Sequence, residues 1–166
     1  MVNETITNIA NIALALSVVI ALIFGIAQVR VAARDRRERF ALEALRNFQT
    51  REFAEMIHYI VSHQMPKTRG ELESEPHRDQ VIFIQFAQQM ESLGLLVAAG
   101  LVDLGLVDRT LGSLVAMAWE KYKTMFLDMR KNDPYIAEYF QWLAEQIERE
   151  MRENPRKPYH QNIAGK

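Results

Sequence analysis

The chain has 166 residues, no cysteine, a quarter of its side chains charged and a net charge of −1. These values exclude disulfides, thiolate metal sites and cysteine nucleophiles, and they provide no global attraction to nucleic acid or anionic lipid. The length suits one domain, and the roughly 120 residues that follow an N-terminal apolar segment are enough to bury a core.

That apolar segment comes first. No residue between positions 5 and 29 is charged. As a helix, residues 9–29 would be about 31 Å long, the hydrocarbon thickness of a bilayer. Eleven Ile, Leu, Val or Phe residues fall between Ile9 and Ile26. At the helix centre they contribute about −3 to −7 kcal/mol to insertion. Asn11 opposes this from near one end. A cleaved signal peptide would carry a basic n-region and a shorter apolar core, whereas the chain opens Met-Val-Asn-Glu. The pattern predicts a transmembrane helix.

Direction follows from charge. Arg30, Arg34, Arg36, Arg37 and Arg39 all lie just C-terminal to the span, and only Glu4 precedes it. Arginines are retained on the cytoplasmic side. The expectation is a single-pass protein of the cell (inner) membrane, N-terminus outside and the rest cytoplasmic. Asp35 and Glu38 dilute any attraction of these arginines to lipid head groups, so topology is their main role. Within the span, Ala13, Ser17, Ala21 and Gly25 recur every fourth residue, a stripe of the kind that lets two membrane helices approach closely.

No Gly or Pro interrupts residues 29–47, so the span is expected to run into a basic juxtamembrane helix over 30–48. Phe40, Ala41, Ala44, Leu45 and Phe48 follow helical spacing. Thr50 is placed to cap a second helix with Glu52 in its first turn, and Phe53, Met56, Ile57, Ile60 and Val61 give that helix an apolar face. Residues 65–76 read as a loop through Pro66, Gly70 and Pro76. The most apolar helix of this part follows, over about 77–99, with Ile82, Phe86, Met90, Leu93 and Val97 as a stripe widened by Phe83, Ala87 and Gly94. Gly100 stops it. Asp103 caps the next helix, which runs to about Lys131 and buries a face from Leu111 to Met129. Asp133-Pro134 signals a last helix over about 134–152, burying Ile136, Phe140, Leu143 and Ile147. Residues 153–166 read as a loose tail. The predicted fold is all-α: one transmembrane helix (1–29 with its short outside tail), then a cytoplasmic bundle of four to five helices whose main body is 49–152.

Chemistry-bearing candidates are few. His58 and His63 are five apart, the wrong spacing for two ligands on one helical face, and no metal site or cofactor is expected. Arg51 and His58 match a loose Arg-x(4–6)-His spacing of some helical ribonucleases. With fourteen arginines and four histidines in the chain, about one such match arises by chance. Glu91 interrupts the central helix between Met90 and Leu93, and a carboxylate there needs a partner if buried. Arg130, at the end of the next helix, is its candidate, and an internal ion pair fixing helix register is the expected role. Trp119 and Trp142 fall at core spacing. No phosphate loop, metal-binding carboxylate pair or Ser/His/Asp set can be assembled, and no catalytic residue or small-molecule substrate is identified. The juxtamembrane arginines are accounted for by topology, so no nucleic-acid partner is expected.

Asn47-Phe48-Gln49-Thr50 with Glu52-Phe53, Met90-Glu91-Ser92-Leu93-Gly94, Gly100-Leu101-Val102-Asp103, Trp119-Glu120, Arg130, and Tyr139-Phe140 with Leu143 together resemble an uncharacterised bacterial family of membrane-anchored helical domains, catalogued as a domain of unknown function. The resemblance covers about residues 47–147. It implies the fold and the membrane location, and no activity.

The expected function is therefore a membrane-anchored, non-enzymatic protein-interaction or regulatory module, partnered by the bilayer and by a protein or a second copy of itself. The alternatives are a membrane-tethered hydrolase or ribonuclease and a small accessory subunit of a larger membrane complex. A deep polar cleft at Arg51 and His58 would favour the hydrolase; an apolar groove would favour the interaction module.

Overall fold

The computed structural model describes residues 2–156, with side chains at 14, 16–36 and 38–156. The tail beyond 156 and the side chains of Ala13 and Arg37 lie outside the described residues. Among these residues the chain is all-helical and contains no strand. The helices are α1 (Val2–Arg46), α2 (Arg51–Ser62), α3 (Arg69–Ser74), α4 (His77–Ala98), α5 (Leu104–Met129) and α6 (Glu138–Glu153), with a 3₁₀ turn at Asn47–Gln49. Two compact units result, Met1–Phe40 and Ala41–Lys166.

In the first unit every described side chain from Leu16 to Arg36 is exposed. Leu22, Ile23 and Phe24 are more than 60 % exposed, so the helix offers apolar surface that nothing within its own unit covers. By length and composition it can cross a membrane. Helix α4 passes the same test, but Phe83, Phe86, Met90 and Leu93 on it are at most 1 % exposed. It is the central helix of a protein core.

The second unit is a five-helix domain that begins at Ala41, ahead of the expected boundary near residue 49. Ala41 and Leu45 are already buried, as the helical spacing from Phe40 onward requires. Thr50 caps α2 as predicted, its hydroxyl accepting the Phe53 N–H at 3.2 Å. Phe53, Met56 and Ile60 are buried, but Val61 is 52 % exposed. It lies about 100° round the helix from Ile60, beyond the edge of the buried face. Gly100 ends α4 in the left-handed region (φ 68°), and the Leu101 N–H reaches back to the Leu96 carbonyl at 2.9 Å. Asp103 caps α5 through the Leu106 N–H at 2.9 Å.

Helices α4, α5 and α6 enclose an aromatic centre. Phe86, Tyr122, Phe126 and Phe140 have ring centroids 5.3–6.3 Å apart, in stacked and edge-on pairs. The Tyr122 hydroxyl donates to the Phe83 carbonyl at 3.1 Å. Burial pushes this phenol well above its ordinary range, so it remains the neutral donor its position requires.

Two predicted boundaries differ. The loop at 65–76 contains α3, whose start is capped by Thr68 accepting the Glu71 N–H at 3.2 Å. The last helix begins at Glu138 rather than Pro134. Asp133 does not cap a helix: its carboxylate accepts the Tyr135 N–H two residues on, at 3.0 Å, and closes a turn. Ala137 then adopts left-handed backbone angles (φ 55°, ψ 35°), which a continuous helix cannot contain.

Candidate functional site

The Ala137 turn is where the sequence-predicted polar residues meet. Helix α6 has no side-chain cap of its own. Its first N–H groups are satisfied from α4 instead. Glu91 is half-buried, and its two carboxylate oxygens accept the Tyr139 N–H at 3.1 Å and the Phe140 N–H at 2.8 Å. A carboxylate at a helix N-terminus also meets the positive end of the helix dipole. Gly94, one turn further along α4, makes the approach feasible: a Cβ there would collide with the Tyr139 carbonyl. Arg130 braces the other side of the turn. It donates to the Ile136 carbonyl at 2.7 Å, the Ala137 carbonyl at 3.0 Å and the Gln141 side-chain oxygen. The expected Glu91–Arg130 ion pair is not formed. Both residues serve one corner, but each binds backbone, the acid its N–H groups and the base its carbonyls.

This braced corner forms one wall of an apolar groove of about 330 Å³, between α3, α4 and α5. Leu72, Phe83, Ala87, Met125 and Met129 line it, and Tyr135 and Ile136 close one side. Its polar side-chain groups are Gln88, Glu91 and the Tyr135 hydroxyl, and Glu91 is occupied by α6. Ile84 and Tyr135 stand at its mouth, 46 % and 74 % exposed. On α3 beside it, Glu71 and Glu73 are exposed. The geometry can receive two or three apolar side chains. It presents no nucleophile or general acid–base pair.

The other candidates are placed as follows. Arg51 and His58 line one open groove with Tyr59, His63 and Arg78. Arg51 is paired with Glu55 one turn on, at 2.8 Å, with its side chain 87 % exposed, and His58 is exposed. Burial, then the Asp79 hydrogen bond and the Asp79 and Glu75 charges, push the Tyr59 phenol up to about 12, so it too remains neutral. Among the described residues no group of three or more His, Cys, Asp or Glu is placed to hold a metal ion. Of the small-residue stripe, Ser17, Ala21 and Gly25 are exposed, and Ala21 and Gly25 line a shallow groove along α1. Arg30, Arg34, Arg36 and Arg39 are exposed. Arg34 bonds Glu38 at 2.8 Å, and that bond raises its pKa above the ordinary guanidinium value. Trp119 is buried and Trp142 half-buried against the core.

Three structural polar residues went unnoticed in the sequence. Lys121 on α5 donates to the Ile60, Val61 and His63 carbonyls at 2.6, 2.8 and 3.3 Å, which closes the C-terminus of α2. Asp108 is 4 % exposed and pairs with Arg156 at 2.9 Å, which holds the segment after α6 against α5. Gly112 gives that carboxylate its space: a Cβ would stand 2.7 Å from Asp108 Oδ1. Each partner is some 50–60 positions away in the chain, and no local spacing announces it.

The fold and these sites define a class: an apolar N-terminal helix of membrane-spanning length joined to an all-helical domain braced by polar contacts to backbone. Within that class, the chain belongs to the family described as Domain of unknown function (DUF4760), whose profile matches residues 15–147. The match takes in most of the apolar helix and the domain as far as Ile147, within α6, and so starts well before the 47–147 stretch that carries the resemblance. No curated protein and no solved structure matches the chain.

Proposed function

We infer that this chain is a membrane-tethered, non-enzymatic docking module. The apolar segment 9–29 anchors it, the arginines after the span hold the domain on the cytoplasmic side, and the groove at Ile84 and Tyr135 takes the apolar ridge of a partner helix. The observation that carries this reading is the groove itself, apolar but for Gln88, Glu91 and the Tyr135 hydroxyl, with its one carboxylate already engaged. Charge selects the partner. Of the acids on this part of the chain, Glu71 and Glu73 are exposed on α3 beside the groove, so the favoured segment has Lys or Arg flanking its apolar ridge. The Ser17, Ala21 and Gly25 side of the span, continued by Ala13 in sequence, supports association with a second membrane helix, including one from another copy. The same anatomy suits an accessory subunit of a larger membrane complex.

A photo-crosslinking residue at Tyr135 of the full chain, followed by mapping of the captured segment, tests the groove. The expected product is a discrete protein whose crosslinked segment is an amphipathic helix with basic flanks. Its capture is abolished by Ile84→Glu and unchanged by Arg51→Ala. Capture that survives Ile84→Glu overturns the reading. The hydrolase alternative rests on Arg51 and His58 sharing a groove. It requires RNA or ester cleavage by the purified chain that Arg51→Ala and His58→Ala each abolish.

A further inference from the structure

Helix α4 ends differently from the other helices of the domain. Ten consecutive residues, Leu93 to Val102, carry no polar side chain. The run takes in the last turn of α4 and the turn at Gly100 that leads to α5. Part of it faces water: Leu95 and Leu101 are 47 % and 44 % exposed, and Ala98 and Ala99 between them are exposed as well. By contrast α2, α3 and α6 run out in Ser62-His63, Ser74-Glu75 and Glu153-Asn154, and Arg130-Lys131 follows α5. Apolar residues exposed together at one place mark a surface that something covers.

The position of this tip points to what covers it. Phe48 packs on Phe53 and Phe53 on Phe86, with ring centroids 5.0 and 5.9 Å apart, while Tyr59 packs on Phe83 at 5.5 Å. Helix α2 therefore runs toward the N-terminus of α4. The residues before α2 lie the other way, and Ala44 shares a cleft with Ser92 and Leu96. The chain thus enters the domain at the end that carries the α4–α5 tip. Leu42, at that entry, is 67 % exposed. Helix continues unbroken from Val29, the end of the apolar segment, to Phe40, a length of about 17 Å. The head-group layer takes up about 5–8 Å of it. The entry end of the domain is therefore held within about 10 Å of the head groups, a nearness that no diffusing partner has.

We propose that the α4–α5 tip seats in the head-group layer of the bilayer, with Leu95 and Leu101 reaching its boundary with the acyl chains. The proposal rests on the anchor reading above. An uncharged apolar tip suits that boundary, where apolar side chains settle to a depth of about 5–10 Å. The acid that follows it, Asp103, is engaged by the Leu106 N–H at the start of α5. No residue from Leu93 to Val102 is cationic, so seating requires no anionic lipid. Seating also orients the domain. The groove at Ile84 and Tyr135 lies toward the opposite end of α4 and stays open to a partner.

The chain has no cysteine, so a single introduced one carries a single label. The full chain is prepared as Leu95→Cys, Leu101→Cys and Val61→Cys, each with an environment-sensitive nitrobenzoxadiazole label. Val61 is 52 % exposed on α2, away from the tip. Each is reconstituted in phosphatidylcholine nanodiscs, with and without a lipid spin-labelled near its head group. Labels at 95 and 101 should shift to the blue and lose about half their emission to the spin label, and the label at 61 should do neither. Ala98→Glu with Ala99→Glu, both at exposed positions, should abolish the quenching at 101. Labels at 95 and 101 that are quenched no more than the one at 61 overturn the proposal, as does quenching that survives the two glutamates. A blue shift without quenching overturns it too, since a protein, whether partner or second copy, would then cover the tip. Failure of the chain to stay in the disc overturns the anchor reading and this proposal together, whereas a retained chain with an unquenched tip overturns this proposal alone.

Discussion

Glu91 binds two backbone N–H groups rather than a cation, and this sets what its removal should cost. Glu91→Ala leaves the start of α6 without its acceptors and should lower stability by about 2–3 kcal/mol, while Glu91→Gln, which keeps one acceptor, should cost about 1 kcal/mol. Ala137 behaves in the opposite sense. Its left-handed backbone costs a non-glycine residue about 1–2 kcal/mol, whereas glycine adds about 0.5–1 kcal/mol of unfolded-state entropy. Ala137→Gly should therefore be neutral to stabilising by up to about 1 kcal/mol. Urea denaturation of the four proteins, wild type included, measures all of this. The need for a partner at Glu91 was legible in the sequence, because a carboxylate flanked by Met90 and Leu93 has to be satisfied. The partner was not: a sequence displays cations but not the unpaired N–H groups of a distant helix, and alanine carries no sign of a positive φ. Gly94 was read as widening an apolar stripe, when its missing Cβ is what lets α6 reach Glu91.

At the scale of elements, some helix ends are closed by residues from other helices in addition to local caps, and α2 and α3 show two consequences. Lys121 supplies the last carbonyls of α2 with both a donor and a positive charge at the negative end of the dipole. Lys121→Met should cost about 1–2 kcal/mol and speed amide hydrogen exchange selectively in the final turn of α2. Asp128 on α5 accepts the Arg69 N–H at the start of α3, at 3.2 Å. Its bond with Lys131, and then the Arg69 N–H, hold its pKa below the ordinary aspartate range. A depressed carboxylate stabilises the fold above its unfolded pKa, and that contribution is lost as pH falls through the lower folded value. Between about pH 5 and pH 2, wild type should therefore lose stability more steeply than Asp128→Asn, with the urea midpoint as readout. The helices with a wide apolar face or a Thr or Asp cap could be read from the sequence almost to the residue. Helix α3 escaped although Thr68 and Glu71 stand in capping register, because Pro66, Gly70 and Pro76 around it spell loop. The start of α6 was misplaced because Asp133-Pro134 serves a turn as well as a helix.

For the whole molecule, the division at Phe40 separates a helix with nothing of its own unit over its apolar surface from a domain with a complete aromatic core. Composition marks changes at 29 and 49, on either side of that division, where an uncharged run gives way to clustered arginines and these to amphipathic periods. The two grooves were not visible, since each gathers residues from separate helices whose individual spacings speak only of core and surface. If segment 9–29 is a tether and residues 41–166 a self-sufficient domain, the two should part cleanly. The decisive measurement is fractionation of the full chain and of 41–166 after an alkaline carbonate wash, with circular dichroism melting of the soluble product. The full chain should stay in the membrane pellet, and 41–166 should be soluble, helical and cooperative in melting. Release of the full chain by the wash, or a shortened chain without helical structure, would contradict the tethered-domain architecture.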